Sequence, residues 1–196
     1  MLPEPITLTG RWVTLEPLAE RHAADLFAVA QDEDIWRYLA PPMPRTLADM
    51  QSWLADALAT RARGEMLPFA VIWRETGRAI GSTRYMDYSA GDRHVEIGWT
   101  WYGRDYWRSP VNTECKYLLL RHAFETLGCI RVQLKTDLRN ERSQRAIERL
   151  GAVREGVLRK AVVIAKDGHQ RWSVYYSILD DEWPAVKRRL EGMLQR

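Results

Sequence analysis

A chain of 196 residues, 46% hydrophobic and 28% charged, can bury one sizeable core and is too short for two domains of ordinary size. Its 29 lysines and arginines and 26 acidic residues leave a net charge of +3 with the two signs interspersed, a pattern that argues against a basic nucleic-acid stripe and a polybasic membrane patch. No apolar run approaches the ~18 residues that cross a bilayer, and Met1-Leu2-Pro3-Glu4-Pro5 lacks the basic and apolar regions of a leader, so one soluble, cytoplasmic domain over residues 1–196 is expected.

Leu8 to Leu15 alternates and predicts a first strand that Glu16-Pro17 ends. His22, Leu26 and Ala30 give a short amphipathic helix, and Ile35, Trp36 and Leu39 another helical turn that Pro41-Pro42-Met43-Pro44 stops. Thr46 caps a longer helix through about Arg63, with Met50, Trp53, Leu54, Ala57 and Leu58 on one side and Gly64 at its end. Phe69 to Trp73 and Ala79 to Met86 are strands joined by the hairpin signature Glu75-Thr76-Gly77-Arg78. The strand over 94–101 alternates Val95, Ile97, Trp99 and Trp101 on one face with His94, Glu96, Gly98 and Thr100 on the other.

From Gly103 to Gly128 the spacing predicts a tight loop running into a helix, apolar at Cys115, Leu118, Leu119, Ala123 and Leu127. Ser109 fits the N-cap and Pro110 the first helical position. The amides of Val111, Asn112 and Thr113 then lack intrahelical carbonyls and stand at the positive end of the helix dipole, an arrangement that binds phosphate. Beyond Gly128, Ile130, Val132 and Leu134 alternate in a strand that runs parallel to the Glu96 strand if the helix between them is a crossover. Asn140 caps a helix over 141–149 that Gly151 ends, and strands over 157–165 and 170–179 flank the hairpin signal Lys166-Asp167-Gly168. A terminal helix over about 181–195 is apolar at Trp183, Val186, Leu190 and Met193 or Leu194. The fold class expected from this order is α/β, a mixed sheet with helices on both faces.

Cys115 and Cys129 form no CxxC, and His22, His94, His122 and His169 fall at no ligand spacing. Free thiols, structural or exposed imidazoles and no metal are therefore expected. Neither a Gly-x-Ser-x-Gly elbow nor a phosphate-binding Gly-x-x-x-x-Gly-Lys or Gly-x-Gly-x-x-Gly loop is present. Nine tryptophans are read as core and cleft-lining bulk, with Trp36 and Trp107, near loops, as the exceptions.

Glu96-Ile97-Gly98-Trp99, Tyr106-Trp107-Arg108, Asn112-Thr113-Glu114 and Asn140-x-x-Ser143 resemble, in that order and over about residues 8–179, the GCN5-related N-acetyltransferases. The branch resembled is the one that acetylates N-termini of ribosomal proteins. One departure is that Arg108-Ser109-Pro110 stands where that family usually has Gly-x-Gly. The resemblance implies the family's acyltransferase fold, with acetyl-CoA as cosubstrate and a primary amine as acceptor: a protein or peptide N-terminus, or a small amine. It implies that two parallel strands splay around the pantetheine arm, which would meet unpaired backbone at Thr100, Trp101 and Tyr102. The diphosphate would lie at Arg108, Ser109, Val111, Asn112 and Thr113, and Asn140 would reach the pantetheine. Glu96 would be the general base, unless it pairs with Arg93, Arg131 or Lys135 on neighbouring strands. Ser143 would be the general acid, with Tyr175 or Tyr176 as rival donor, of which alternation lets only one face the cleft. The segment from Asp32 to Arg45 corresponds to a loop that shapes the acceptor pocket in that family. Its Asp32, Glu33 and Asp34 suit either a cationic amine or a solvated helix cap. A non-catalytic acyl-CoA sensor of the same fold is the alternative, and a homodimer through the terminal helix and the Asp167-Gly168 hairpin is a further expectation.

Overall fold

The computed structural model describes residues 3–195. Among these, the strands are β1 (Leu8–Thr9), β2 (Val13–Pro17), β3 (Met66–Trp73), β4 (Arg78–Ser89), β5 (His94–Tyr102), β6 (Arg131–Asp137), β7 (Val153–Ile164) and β8 (His169–Leu179). The helices are α1 (Ala23–Val29), α2 (Glu33–Trp36), α3 (Leu47–Ala62), α4 (Val111–Arg121), α5 (Glu141–Leu150) and α6 (Trp183–Leu194). The strands form one mixed sheet in the order β1-β2-β3-β4-β5-β6-β8-β7. Every pairing is antiparallel except β5 with β6, which the α4 crossover makes parallel.

Helices cover both faces. Val111, Cys115, Leu118 and Leu119 of α4, Ile147 and Leu150 of α5, and Trp183, Val186 and Leu190 of α6 close one core with Val95, Ile97, Val132, Leu134, Val174 and Tyr176 from the sheet. Each fully buried leucine here is worth roughly 2 kcal/mol of transfer free energy. On the opposite face α1, α2 and α3 bury Leu26, Ile35, Trp36, Met50 and Leu54 against Ala70, Ala79 and Trp101. No β6 or β8 side chain joins that second core, so this end of the face is left to polar groups. None of the helices is long and apolar enough to cross a membrane among the described residues.

The expected local signals are realised at α3, where Thr46 Oγ1 accepts from Asp49 N–H and the Asp49 carboxylate accepts from Thr46 N–H. Three expectations are corrected. The single strand over 8–15 is two strands, because the Glu114 carboxylate of α4 accepts the amides of Arg11, Trp12 and Val13 at 2.6, 2.8 and 2.8 Å and turns the chain there. A Cβ on Gly10 would lie 2.4 Å from Glu114 Cδ, so only glycine lets that carboxylate approach. The α4 helix widens into a π-turn over His122–Thr126 before Gly128 closes it at φ +64°.

The third correction concerns β5. Its alternation breaks between Gly98 and Trp101, where Trp99 and Thr100 together oppose Thr83 of β4 and Trp99 takes φ 52°. This β-bulge bends the strand. Beyond Glu96 no residue of β5 pairs with β6, the parallel ladder being His94–Arg131, Val95–Val132 and Glu96–Gln133. The bulge also returns Trp101 to the face that carries Glu96, because Trp101 pairs with Ser82 and Gly98 with Arg84.

Candidate active site

Glu96 sits where the two parallel strands part. Its side chain is 1% exposed, and Oε2 accepts from Gln133 Nε2 at 2.8 Å and pairs with Lys135 Nζ at 3.0 Å. The neighbouring-strand partner anticipated as an alternative is therefore present. It occupies only one oxygen, since Oε1 has no hydrogen-bond partner. The carboxylate is thus held by one edge and free at the other, the arrangement a proton acceptor needs. The glycine two residues on keeps that edge open, as a Cβ on Gly98 would lie 3.2 Å from Oε1.

Trp101 packs its ring 5.1 Å from Trp36 and 5.8 Å from Trp53, a trio that walls the same face. Trp36, expected as an exception to the buried tryptophans, is 2% exposed and donates Nε1–H to Ala30 O at 2.8 Å. Thr100 turns its hydroxyl the other way, toward α4, where it meets Thr83 Oγ1 at 2.8 Å and accepts from Lys116 Nζ at 2.7 Å. Lys116 is buried, has no carboxylate within 4.0 Å among the described residues, and is pulled down to about 8 by that burial.

The mouth of α4 departs from expectation by one residue. Ser109 Oγ accepts from Val111 N–H at 3.3 Å and donates to Tyr106 O, so the Val111 amide is satisfied. Intrahelical bonding starts with Glu114 N–H on Pro110 O. The amides of Asn112 and Thr113 are left without an intrahelical acceptor. Arg108 stands at φ 60°, a left-handed conformation that glycine adopts freely, which accounts for the glycine expected near this point. Trp107 is gripped from its faces by Arg104 at 5.0 Å and Arg142 at 3.5 Å, and its indole N–H caps Tyr102 O at 3.0 Å.

Asn140 Oδ1 accepts from Ser143 N–H at 3.1 Å, so the asparagine caps α5. It borders a recess of about 300 Å³ shared with Asp34, Tyr38, Arg139 and Arg142. Ser143 lies half-buried on the first turn of α5. Of the two tyrosines, Tyr176 faces α5, where its hydroxyl donates to Glu148 Oε1 at 3.0 Å, and burial together with that bond pushes it up to about 12. Tyr175 pairs with Lys135 and shares the Glu96 face. Tyr176→Phe should therefore leave thiol release unchanged and cost about 1 kcal/mol of stability, read by a thiol assay beside a denaturant melt; a large loss of turnover would return Tyr176 to the site.

The acids Asp32, Glu33 and Asp34 do not form an open acidic pocket. Arg104 binds Asp32 and Asp34 at 3.1 and 3.0 Å, Arg37 binds Asp34 at 2.7 Å, and Arg45 binds Glu33 at 3.0 Å. The Asp32 carboxylate also caps α2 by accepting from Asp34 N–H. Two groups escaped the sequence reading altogether, Arg84 and Arg171, because a charged residue inside a strand pattern carries no motif. Among the described residues no cluster of three or more His, Cys, Asp or Glu side chains is placed to hold a metal ion.

A mixed sheet whose parallel pair parts beside a capped helix mouth is the architecture of the acyltransferase fold. The chain belongs to the GNAT acetyltransferases: the family described as Acetyltransferase (GNAT) domain matches residues 13–153. A GCN5-related N-acetyltransferase from Brucella melitensis superposes with a TM-score of 0.92 at 32% identity, covering 99% of this chain and 87% of that one. A candidate acetyltransferase from T. thermophilus is 42% identical, with a TM-score of 0.89 and coverage of 99% and 100%. Mycobacterium smegmatis RimJ, solved in complex with CoA-disulfide, shares the fold at a TM-score of 0.80 and 22% identity, over 98% of this chain and 97% of that one.

Proposed function

We propose that the protein transfers the acetyl group of acetyl-CoA to a primary amine by direct attack of the amine on the thioester. The observation that carries this reading is the unpaired edge of β5 beyond Glu96, beside the two free amides at the mouth of α4. These fit the cosubstrate: Asn112 and Thr113 amides suit a diphosphate at a helix N-terminus, and an open strand edge suits the amides of an extended pantetheine arm. Acetyl-CoA, when bound, supplies an acyl carbon open to an amine. Glu96 Oε1 takes the proton from the incoming ammonium, backbone N–H groups bared at the bulge polarise the thioester oxygen, and Ser143 or Tyr175 returns a proton to the departing sulfur. The resemblance to the branch that acetylates N-termini of ribosomal proteins favours a peptide N-terminus as acceptor, with small amines as the competing class.

Calorimetric titration with acetyl-CoA, followed by thiol release over a panel of amines and peptides, tests the reading. Micromolar binding with release on at least one acceptor is expected. Binding without release on any acceptor would favour the acyl-CoA sensor, which the strained Arg108 in place of glycine supports. Absence of binding would overturn both.

A further inference from the structure

Five buried side-chain atoms have no hydrogen-bond partner among the described residues: Arg84 Nε, Glu96 Oε1, Trp101 Nε1, Arg171 Nε and Ser173 Oγ. Buried polar atoms are ordinarily paired, so each of these has a partner to find. The sheet register puts all five on one face. Ser82 pairs with Trp101 and Arg84 with Gly98 across β4 and β5; Glu96 pairs with Gln133; Gln133 pairs with Ser177 and Asp137 with Ser173 across β6 and β8. Arg171, two residues before Ser173, shares that face. The unsatisfied groups are thus spread around the place where β5 and β6 part.

Their chemistry is uneven. Four are donors and one, Glu96 Oε1, is an acceptor. The charges are uneven too. Glu96 is paired with Lys135 and Asp137 with Arg139, at 3.0 and 2.9 Å. Asp137 is held below the usual carboxylate range, the Arg139 hydrogen bonds outweighing its burial. His169 stands 4.0 Å from the same carboxylate. Among the described residues, Arg84 and Arg171 have no carboxylate within 4.0 Å. Arg84 is 3% exposed, with its guanidinium 4.5 Å from the Trp99 ring and 5.2 Å from Trp53, and one terminal nitrogen 3.5 Å from Met66 Sδ. Burial draws it down to about 10, which leaves it charged at neutral pH, with Asp56 of α3 as its opposing influence. Arg84, which is buried, and Arg171, which is half-buried and has Asp137 and Glu96 only at longer range, are thus two cations on one face without a close carboxylate, a costly state that a bound anion would relieve.

A ligand that completes this face offers acceptor oxygens with negative charge to the guanidinium, indole and hydroxyl donors, and one N–H donor to Glu96. We propose that the acceptor is a primary amine that carries a carboxylate, with Arg84 and Arg171 selecting the carboxylate and Glu96 Oε1 receiving the ammonium. This rests on the reading of the face as the amine site of an acetyltransferase. A polyamine or aminoglycoside would instead bring further positive charge to a face with two unpaired cations. The same chemistry is offered by a free amino acid and by a peptide that begins with aspartate or glutamate.

The test uses the full chain, acetyl-CoA and matched acceptors: free amino acids against their carboxamides, and peptides beginning with Asp or Glu against those beginning with Asn or Gln. The acid of each productive pair should be favoured by about tenfold to a hundredfold in kcat/KM, the worth of one charge-assisted hydrogen bond. Discrimination confined to the amino-acid pairs identifies a free amino acid as the source, and discrimination confined to the peptide pairs identifies an acidic N-terminus. Arg84→Met and Arg171→Gln should each shrink the acid-to-amide ratio, a readout that a purely structural role would not move. Equal use of acid and amide by the unaltered protein, or preference for a polyamine, would overturn the proposal and leave acetyl transfer standing. Calorimetry with the N-acetylated products separates the two readings without turnover. Tighter binding of the acid product with no thiol release on any acceptor keeps the carboxylate site and removes the transfer reading; no preference between acid and amide products, in a protein that releases no thiol, removes both.

Discussion

Glu96→Gln is expected to lower kcat on a good amine acceptor by about a hundredfold, within the range a positioned general base supplies, while acetyl-CoA binding is retained. The substitution keeps the shape. The amide oxygen can still accept from Gln133 and Lys135, whose bonds at 2.8 and 3.0 Å hold the present Oε2. What is lost is the capacity of the free edge to take a proton. Lys135 loses its counter-charge but is 26% exposed on its side chain, so water compensates most of that loss and the fold should tolerate it. Single-turnover thiol release beside calorimetric titration of acetyl-CoA checks the result. Turnover equal to that of the unaltered protein would remove Glu96 from the chemistry, and joint loss of turnover and cosubstrate binding would mark it as a strut at the strand junction.

The sequence disclosed the parts whose cause is local. Thr46 with Asp49 announces α3, Gly151 at φ 109° ends α5, and Gly168 at φ 67° turns the β7–β8 hairpin. The parallel pairing of β5 with β6 followed from one helical crossover. What stayed hidden depends on contacts distant in the chain. The bulge at Trp99 and Thr100 has no glycine or proline to mark it, and its residues suit either face of a strand, so the alternation over 94–101 looked unbroken. That displacement put Trp101 on the wrong face of the expected strand, and the splay itself was expected from the family resemblance alone. The acids at 32–34 looked free because Arg104, which binds two of them, lies about seventy residues on. Gly10 inside a strand pattern was the one available sign of the β1–β2 turn, but its cause, Glu114, stands about a hundred residues away. The donors on the Glu96 face were equally out of reach, since an unsatisfied atom is a property of packing and leaves no trace in spacing.

That distant strut leads to the second expected result: Glu114→Ala should destabilise the protein by about 4 kcal/mol, leaving several amides with buried donor bonds unmet. The Glu114 side chain is 3% exposed and accepts three consecutive amides, those of Arg11, Trp12 and Val13. Water can replace it at Arg11, which is exposed, and in part at the half-buried Trp12, but not at Val13, which is fully buried. For a chain of this size the loss corresponds to a fall in Tm of roughly 8–16 °C. Glu114→Gln should recover only part of it, because its NH2 group would confront amide donors where an oxygen now accepts. A Glu141→Ala control removes an ion pair whose carboxylate is 76% exposed and should move Tm by no more than about 2 °C, as surface pairs contribute little. Glu114 also stands on the first turn of α4, directly after the unpartnered amides of Asn112 and Thr113. Loosening its anchorage to the β1–β2 turn should therefore weaken acetyl-CoA binding at temperatures well below the melt. Circular-dichroism melts of the three variants, with acetyl-CoA titrations at about 15 °C, test both consequences. A Tm for Glu114→Ala within the range of the Glu141 control would show that the amides of the turn find other acceptors and that the helix mouth is held without the carboxylate.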